Sequence, residues 1–184
     1  MSTIRVGNIG PLTGNTSVIA DPGVSGGGMS LVNMTAISLS GTYVDFTGIP
    51  SWARRITVVF SGASTTGGQN YIIQLGTSGG ITSSGYSTLQ TSLYNSAYPS
   101  IGSYSNGFNI TNPSASSVSY HGIATIMLVS GNTWVSSSLL GEGGGTRFML
   151  NTGSVTLSGS LSTIRVTQTT TDTFDAGTVN VYYE

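Results

Sequence analysis

One histidine, six acids and five arginines are all that this chain of 184 residues offers for acid–base or metal chemistry; it contains no cysteine and no lysine. A Ser-His-acid triad needs a base held between nucleophile and carboxylate, and the only imidazole is His121, in Ser119-Tyr120-His121-Gly122-Ile123. Alternation along Val118, Tyr120, Gly122, Ala124 and Ile126 sets His121 on the opposite face of a strand, which favours a structural role. Glycosidase chemistry needs two carboxylates some 5–10 Å apart. The acids are Asp21, Asp45, Glu142, Asp172, Asp175 and Glu184, and only Asp172 and Asp175 are close in sequence. Their segment, Thr171 to Gly177, reads as a loop in which Asp side chains bond nearby backbone, and calcium there would want about six oxygen ligands. Glu142, among Gly141 and Gly143-Gly144-Gly145, reads as a solubilising loop charge. Gly7-Asn8-Ile9-Gly10 and Gly26-Gly27-Gly28 precede no helix with a Lys-Ser/Thr pair, so neither is a phosphate loop. The expectation is a protein that is not an enzyme and uses no metal or cofactor.

The aromatic residues carry more. Tyr86, Tyr94, Tyr98, Tyr104 and Phe108 fall in a stretch that also holds Asn95, Asn106, Asn109 and Asn112, with Pro99 and Pro113 interrupting it. Tyrosine mixed with Ser, Gly and Asn is the composition of adaptable recognition loops, where a rigid amphipathic ring supplies contact area at small entropic cost. Tyr86, Tyr94, Tyr98, Tyr104 and Asn106 are therefore the candidate receptor contacts, and a glycan or a protein would suit them. The competing assignment packs these rings over a barrel end or between subunits, since aromatics also dominate cores and interfaces.

The elements that position these residues read as short strands. Val44 and Phe46 alternate with Tyr43 and Asp45; Ile56-Thr57-Val58-Val59-Phe60 and Tyr71-Ile72-Ile73-Gln74-Leu75 are buried β-branched or aromatic runs. Further strands are predicted over 86–93, 117–129, 133–140, 146–150, 154–157, 163–169 and 178–183, and no periodic run is long enough for a helix. Leu157-Ser158-Gly159-Ser160-Leu161 reads as a hairpin turning at Gly159. Trp52, after Pro50, is expected to cover the end of the core, and Arg54-Arg55 to meet Asp45 or a neighbouring subunit. Regular short strands with turns between them predict an all-β fold, a jelly-roll-like β-sandwich over 41–184. Residues 1–40 differ: Ile4, Val6 and Ile9 alternate, then Pro11, Pro22-Gly23 and the glycine run break regularity. They read as an extended N-terminal attachment arm, with Ile4, Val6 and Ile9 its docking candidates; the apolar Met29, Leu31, Val32, Met34, Ile37 and Leu39 at its end are open to one or two strands or to contact with neighbouring subunits.

Composition narrows the partners. Charged residues are 6% of the chain against roughly 25% in soluble domains, and the net charge is −1. Such a surface associates with copies of itself or sits inside a larger assembly. Five arginines provide no broad basic footprint, which argues against nucleic acid. No apolar run approaches the ~18–20 residues of a membrane-spanning helix, and Met1-Ser2-Thr3-Ile4-Arg5 lacks a signal-peptide pattern. No membrane insertion is expected.

Ser40 to Val58, continued by Asn70-Tyr71-Ile72-Ile73-Gln74-Leu75-Gly76 and closed by Asp172-Thr173-Phe174-Asp175-Ala176-Gly177-Thr178-Val179-Asn180-Val181, resembles a module of tail-fibre and related virion proteins of tailed bacteriophages. Thr3-Ile4-Arg5-Val6-Gly7-Asn8-Ile9 with Thr13-Gly14-Asn15-Thr16 resembles the opening repeat of many phage fibre and appendage proteins. The resemblance implies a virion component, commonly a homotrimer, contacting other virion proteins through its arm and a host surface through its loops. The chain has no long shaft repeat, so a capsid decoration or cement protein is the structural alternative. A polysaccharide depolymerase ranks below both.

Overall fold

The computed structural model describes residues 31–94, 100–112, 115, 116, 118–145 and 147–184. Ile4, Val6, Ile9 and Tyr98 lie outside them. Fourteen strands and no helix occur among the described residues. In chain order these are β1 (Val32–Asn33), β2 (Ile37–Ser38), β3 (Tyr43–Thr47), β4 (Arg55–Thr65), β5 (Tyr71–Thr77), β6 (Gly80–Ile81) and β7 (Ser87–Tyr94). There follow β8 (Ser100–Tyr104), β9 (Phe108–Asn109), β10 (Tyr120–Ser130), β11 (Thr133–Glu142), β12 (Arg147–Thr156), β13 (Thr163–Gln168) and β14 (Phe174–Tyr183).

Two antiparallel sheets form. The larger runs β1-β14-β4-β10-β11-β12-β7-β8, with β2 also on β14; the smaller runs β3-β13-β5-β6, with β9 also on β5. The chain crosses between sheets again and again, which no local propensity specifies. Between them lies one core. Ile56, Val58, Ala124, Ile126, Leu140 and Met149 of the larger sheet and Ile73, Leu75, Ile164 and Val166 of the smaller are fully buried. Along β4 as far as Phe60, and along β11 and β13, every second residue is buried, as the two-residue side-chain period of a strand requires. Beside this apolar core the inner face carries buried amides: Asn151 donates to Ser138 Oγ (2.9 Å) and to the Ile110 carbonyl (3.2 Å), and the Asn109 amide donates to Gln90.

The expected two-layer all-β architecture is present, with four local differences. First, 146–150 and 154–157 are one strand, β12, because Gly153 does not break it. A Cβ there would stand 2.8 Å from Thr88 Oγ1 and 3.1 Å from the Phe108 ring, so the glycine marks a close approach of layers. Second, Leu157 to Leu161 is not a hairpin. It carries the chain from the larger sheet to the smaller, anchored by Leu157 and Leu161, both buried. Third, residues 31–40 take the strand option open to their apolar run and so belong to the sandwich: Val32 lies opposite Tyr183, Ile37 opposite Val179, and Leu39 is 3% exposed. The arm boundary expected at residue 40 thus falls inside the sandwich, whose compact unit starts at Leu31. Fourth, Asp45 meets neither Arg54 nor Arg55. Arg165 binds it with two parallel bonds (2.8 and 2.7 Å) while stacking on Tyr43 at 3.9 Å, and Arg55 pairs with Glu184 instead.

Candidate interaction surfaces

Strand ends define two poles. At one, β4 begins, β14 ends, and Val32 sits opposite Tyr183, so the described chain joins the sandwich there. Trp52 packs on Tyr183 at 5.5 Å, covering that end of the core as expected. A cleft of about 450 Å³ opens at the same pole, lined by Arg54, Leu128, Asn132, Trp134 and Leu161 among others. Trp134 is 3% exposed and its Nε1 has no hydrogen-bond partner. Nothing local in the sequence joins Arg54 to Asn132 and Leu161; only the folding of three connections onto one pole does.

At the other pole β7 ends and β12 begins, and Tyr94 lies opposite Arg147. The Arg147 guanidinium stacks on the Tyr94 ring at 5.0 Å and donates to the Asn112 carbonyl at 2.9 Å. Glu142 Oε1 lies 3.6 Å from Nε of the same guanidinium and accepts from Tyr120 Oη at 3.2 Å. The side chain is 9% exposed, so Glu142 is a largely buried ion-pair member rather than a loose loop charge. Burial, together with the charge of Glu142, pushes the Tyr120 hydroxyl well above its ordinary range. Arg147, itself held by Asn112 and Glu142, thus backs the half-exposed Tyr94 ring. Cation–π contact of this kind adds about 0.5–1 kcal/mol at an exposed site.

The remaining candidate tyrosines are dispersed. Tyr86 is a core residue, 4% exposed: its hydroxyl accepts from the Leu75 N–H (2.7 Å) and donates to the Thr82 carbonyl (3.1 Å). Its ring meets Phe108 edge-on at 5.0 Å, and burial lifts its pKa to about 12. That corrects its assignment as a receptor contact, since no face of it reaches a ligand. Tyr104 lies opposite Thr88, six residues down β7 from Tyr94, or roughly 20 Å at ~3.4 Å per residue. Its ring covers Gly102. Asn106 is half-buried, and its carbonyl accepts from Gln74 Nε2 at 2.8 Å. Tyr94 and Tyr104 therefore belong to opposite poles and form no common groove.

His121 is exposed and opposite Tyr120 and Ala124, as the alternation implied. Its Nδ1 accepts from the Gly62 N–H at 3.0 Å, where β4 and β10 slip register by a bulge. The imidazole satisfies a donor that the ladder leaves over. Asp175 accepts from Ser64 Oγ, and the Asp172 carboxylate lies against Gly67. Among the described residues no group of three His, Cys, Asp or Glu side chains is placed to hold a metal ion.

No family model, curated protein or solved structure matches the chain.

Proposed function

We propose that this protein is a structural component of a tailed-bacteriophage virion, a short trimeric tail-fibre or adhesin-like module docked by its N-terminal arm and presenting its far pole to a host-surface glycan or protein. The observation that carries this reading is the polarity of the sandwich. The chain joins it beside Tyr183, whereas the Tyr94 ring, braced by Arg147, stands at the opposite strand ends. A module attached at one end and recognising at the other needs that separation. The repeated crossing of the chain between sheets supports the finer reading of a jelly-roll-like wrap carried on an extended arm. The Tyr94–Arg147 pair suits a hydroxyl-rich ligand, since an aromatic face and a guanidinium fork bind the apolar and polar sides of a sugar ring. Several copies on one particle would turn weak single contacts into firm attachment.

Cryo-electron microscopy of the intact particle, with the copies counted, tests the assignment. A few trimers on the tail or its appendages would support it, and purified protein should then compete with phage adsorption, with Tyr94→Ala weakening that competition roughly tenfold, a change equal to about 1.4 kcal/mol. Hundreds of copies across the head lattice would overturn it in favour of a decoration protein.

A further inference from the structure

The outward face of the larger sheet is apolar where an outer face should be polar. On β10, Ile123, Met127 and Val129 are 49%, 47% and 60% exposed; on β11, β12 and β8, Leu139, Leu150 and Ile101 are 53%, 41% and 73% exposed. Phe148, Leu89 and Val135 add to them. These side chains are in register. Ile123 lies opposite Leu139, Leu139 opposite Leu150, Leu150 opposite Thr91, and Thr91 opposite Ile101, giving one row across five strands. An antiparallel sheet with one wet face alternates apolar and polar residues; strands apolar on both sides are those buried on both sides. β10 is of the second kind, with Tyr120, Ala124 and Ile126 inside and Ile123, Met127 and Val129 outside.

We infer that this face is covered by a second copy of the chain. Relief, charge and size point to that occupant. Beside the row of large residues runs a row of mostly small hydroxyls, Thr125 opposite Ser137, Ser137 opposite Thr152, Thr152 opposite Leu89, and Leu89 opposite Ser103. Beyond it, Met127 and Val135 rise again. The face is therefore corrugated, with ridges and troughs at the same spacing, and a copy turned about a twofold axis in the plane of the contact can set its ridge into the trough. Side chains of packed sheets interdigitate in this way, and a self-complementary patch is what an isologous contact requires. No Asp, Glu or Arg points outward from β7, β8, β10, β11 or β12, and the outward imidazole, His121 at the start of β10, is engaged by the Gly62 N–H, so the middle of the face offers no charge to select a charged partner, and a net charge of −1 sets up little repulsion between copies. Arg55, exposed on β4 beside Met127, and the Asn180–Asn33 pair form a polar rim on one side. Five strands at ~4.8 Å and about six residues at ~3.4 Å make the patch roughly 20 Å by 20 Å. Its projected area, on the order of 400 Å², is within the range of functional patches. It is about half of the ~800 Å² that each partner gives to a stable interface, before the relief of the side chains is added.

This inference goes beyond the proposed trimer: a twofold contact pairs two copies, or two trimers, and is not the threefold contact itself. Sedimentation velocity of the full chain, beside a Leu139→Glu/Leu150→Glu variant, tests it. The expected result is an even-numbered oligomer, a dimer or paired trimers, for the unaltered chain and at least 100-fold weaker pairing for the variant, with the β-sheet circular dichroism spectrum and melting temperature retained. An unaltered chain that stays monomeric at ~100 μM, well above a Kd of 1 μM, would overturn both this inference and the trimer. An oligomer that the double variant leaves intact would overturn this inference alone. Should the double variant not fold, single cysteines decide the matter, because the chain has none of its own. Leu139→Cys should cross-link between copies and Thr169→Cys, on the smaller-sheet side, should not; equal yields would refute the assignment.

Discussion

Gly177 shows how little freedom a single position has. Its φ is +95°, and a Cβ there would stand 2.5 Å from the Gly62 carbonyl group, where β4 and β14 slip register. Gly177→Ala should therefore cost roughly 2 kcal/mol or more, since both the backbone region and the contact are forbidden to it. A denaturant midpoint unchanged from the parent would show that the bulge yields. Tyrosine burial sets the alkaline limit. Burial holds Tyr71 and Tyr86 at about 12 against a free value of 10. The folded state thus keeps its phenolic protons to higher pH than the unfolded chain does. That stabilisation is whole below pH 10 and is lost as pH rises from 10 through 12, by about 1.4 kcal/mol per pH unit for each such tyrosine. Thermal melting should be flat from pH 8 to 9.5 and fall steeply above 10, less steeply in Tyr71→Phe. A parallel decline in both would assign the loss to other groups.

At the scale of elements, residues 31–40 are the most informative. Pairing of β1 and β2 with β14, and burial of Leu39, make this segment part of the sheet. Leu39→Ala should cost about 2–5 kcal/mol, the usual range for a core leucine; a loss under ~0.5 kcal/mol in urea unfolding would return the segment to the arm. The sequence pattern located β3, β4, β5, β7, β10, β11, β13 and β14 because alternation and β-branched runs are local signals. It misplaced the ends of β12 and the connection after it. Gly153 and Gly159 look alike as letters, yet one admits a neighbouring layer and the other lies in a crossing between sheets.

For the whole molecule, the decisive property is a sandwich whose outer surface is nearly uncharged. Association through the face of β10, β11, β12, β7 and β8 would be hydrophobic, so it should hold between ~50 and ~500 mM NaCl and strengthen in sulfate, unlike contacts between exposed charges. Dissociation on adding NaCl, followed by sedimentation, would contradict that. The candidate recognition pole is partly separable from this face. Tyr94→Ala should alter receptor competition without changing the oligomeric mass, and a shift in mass would merge the two surfaces.

The sequence by itself determined the all-β class, the place of His121 on the outer side of its strand, and a surface poor in charge. Each follows from composition or from a period of two residues, which a linear chain carries openly. Only the tertiary structure decided that Tyr86 is core while Tyr94 is surface, that Asp45 belongs to Arg165, and that Ile123, Leu139, Leu150 and Ile101 share one row. Those relations depend on strand order and register, which bring together residues far apart in the chain; reading one strand reveals its two faces but not which neighbours continue them.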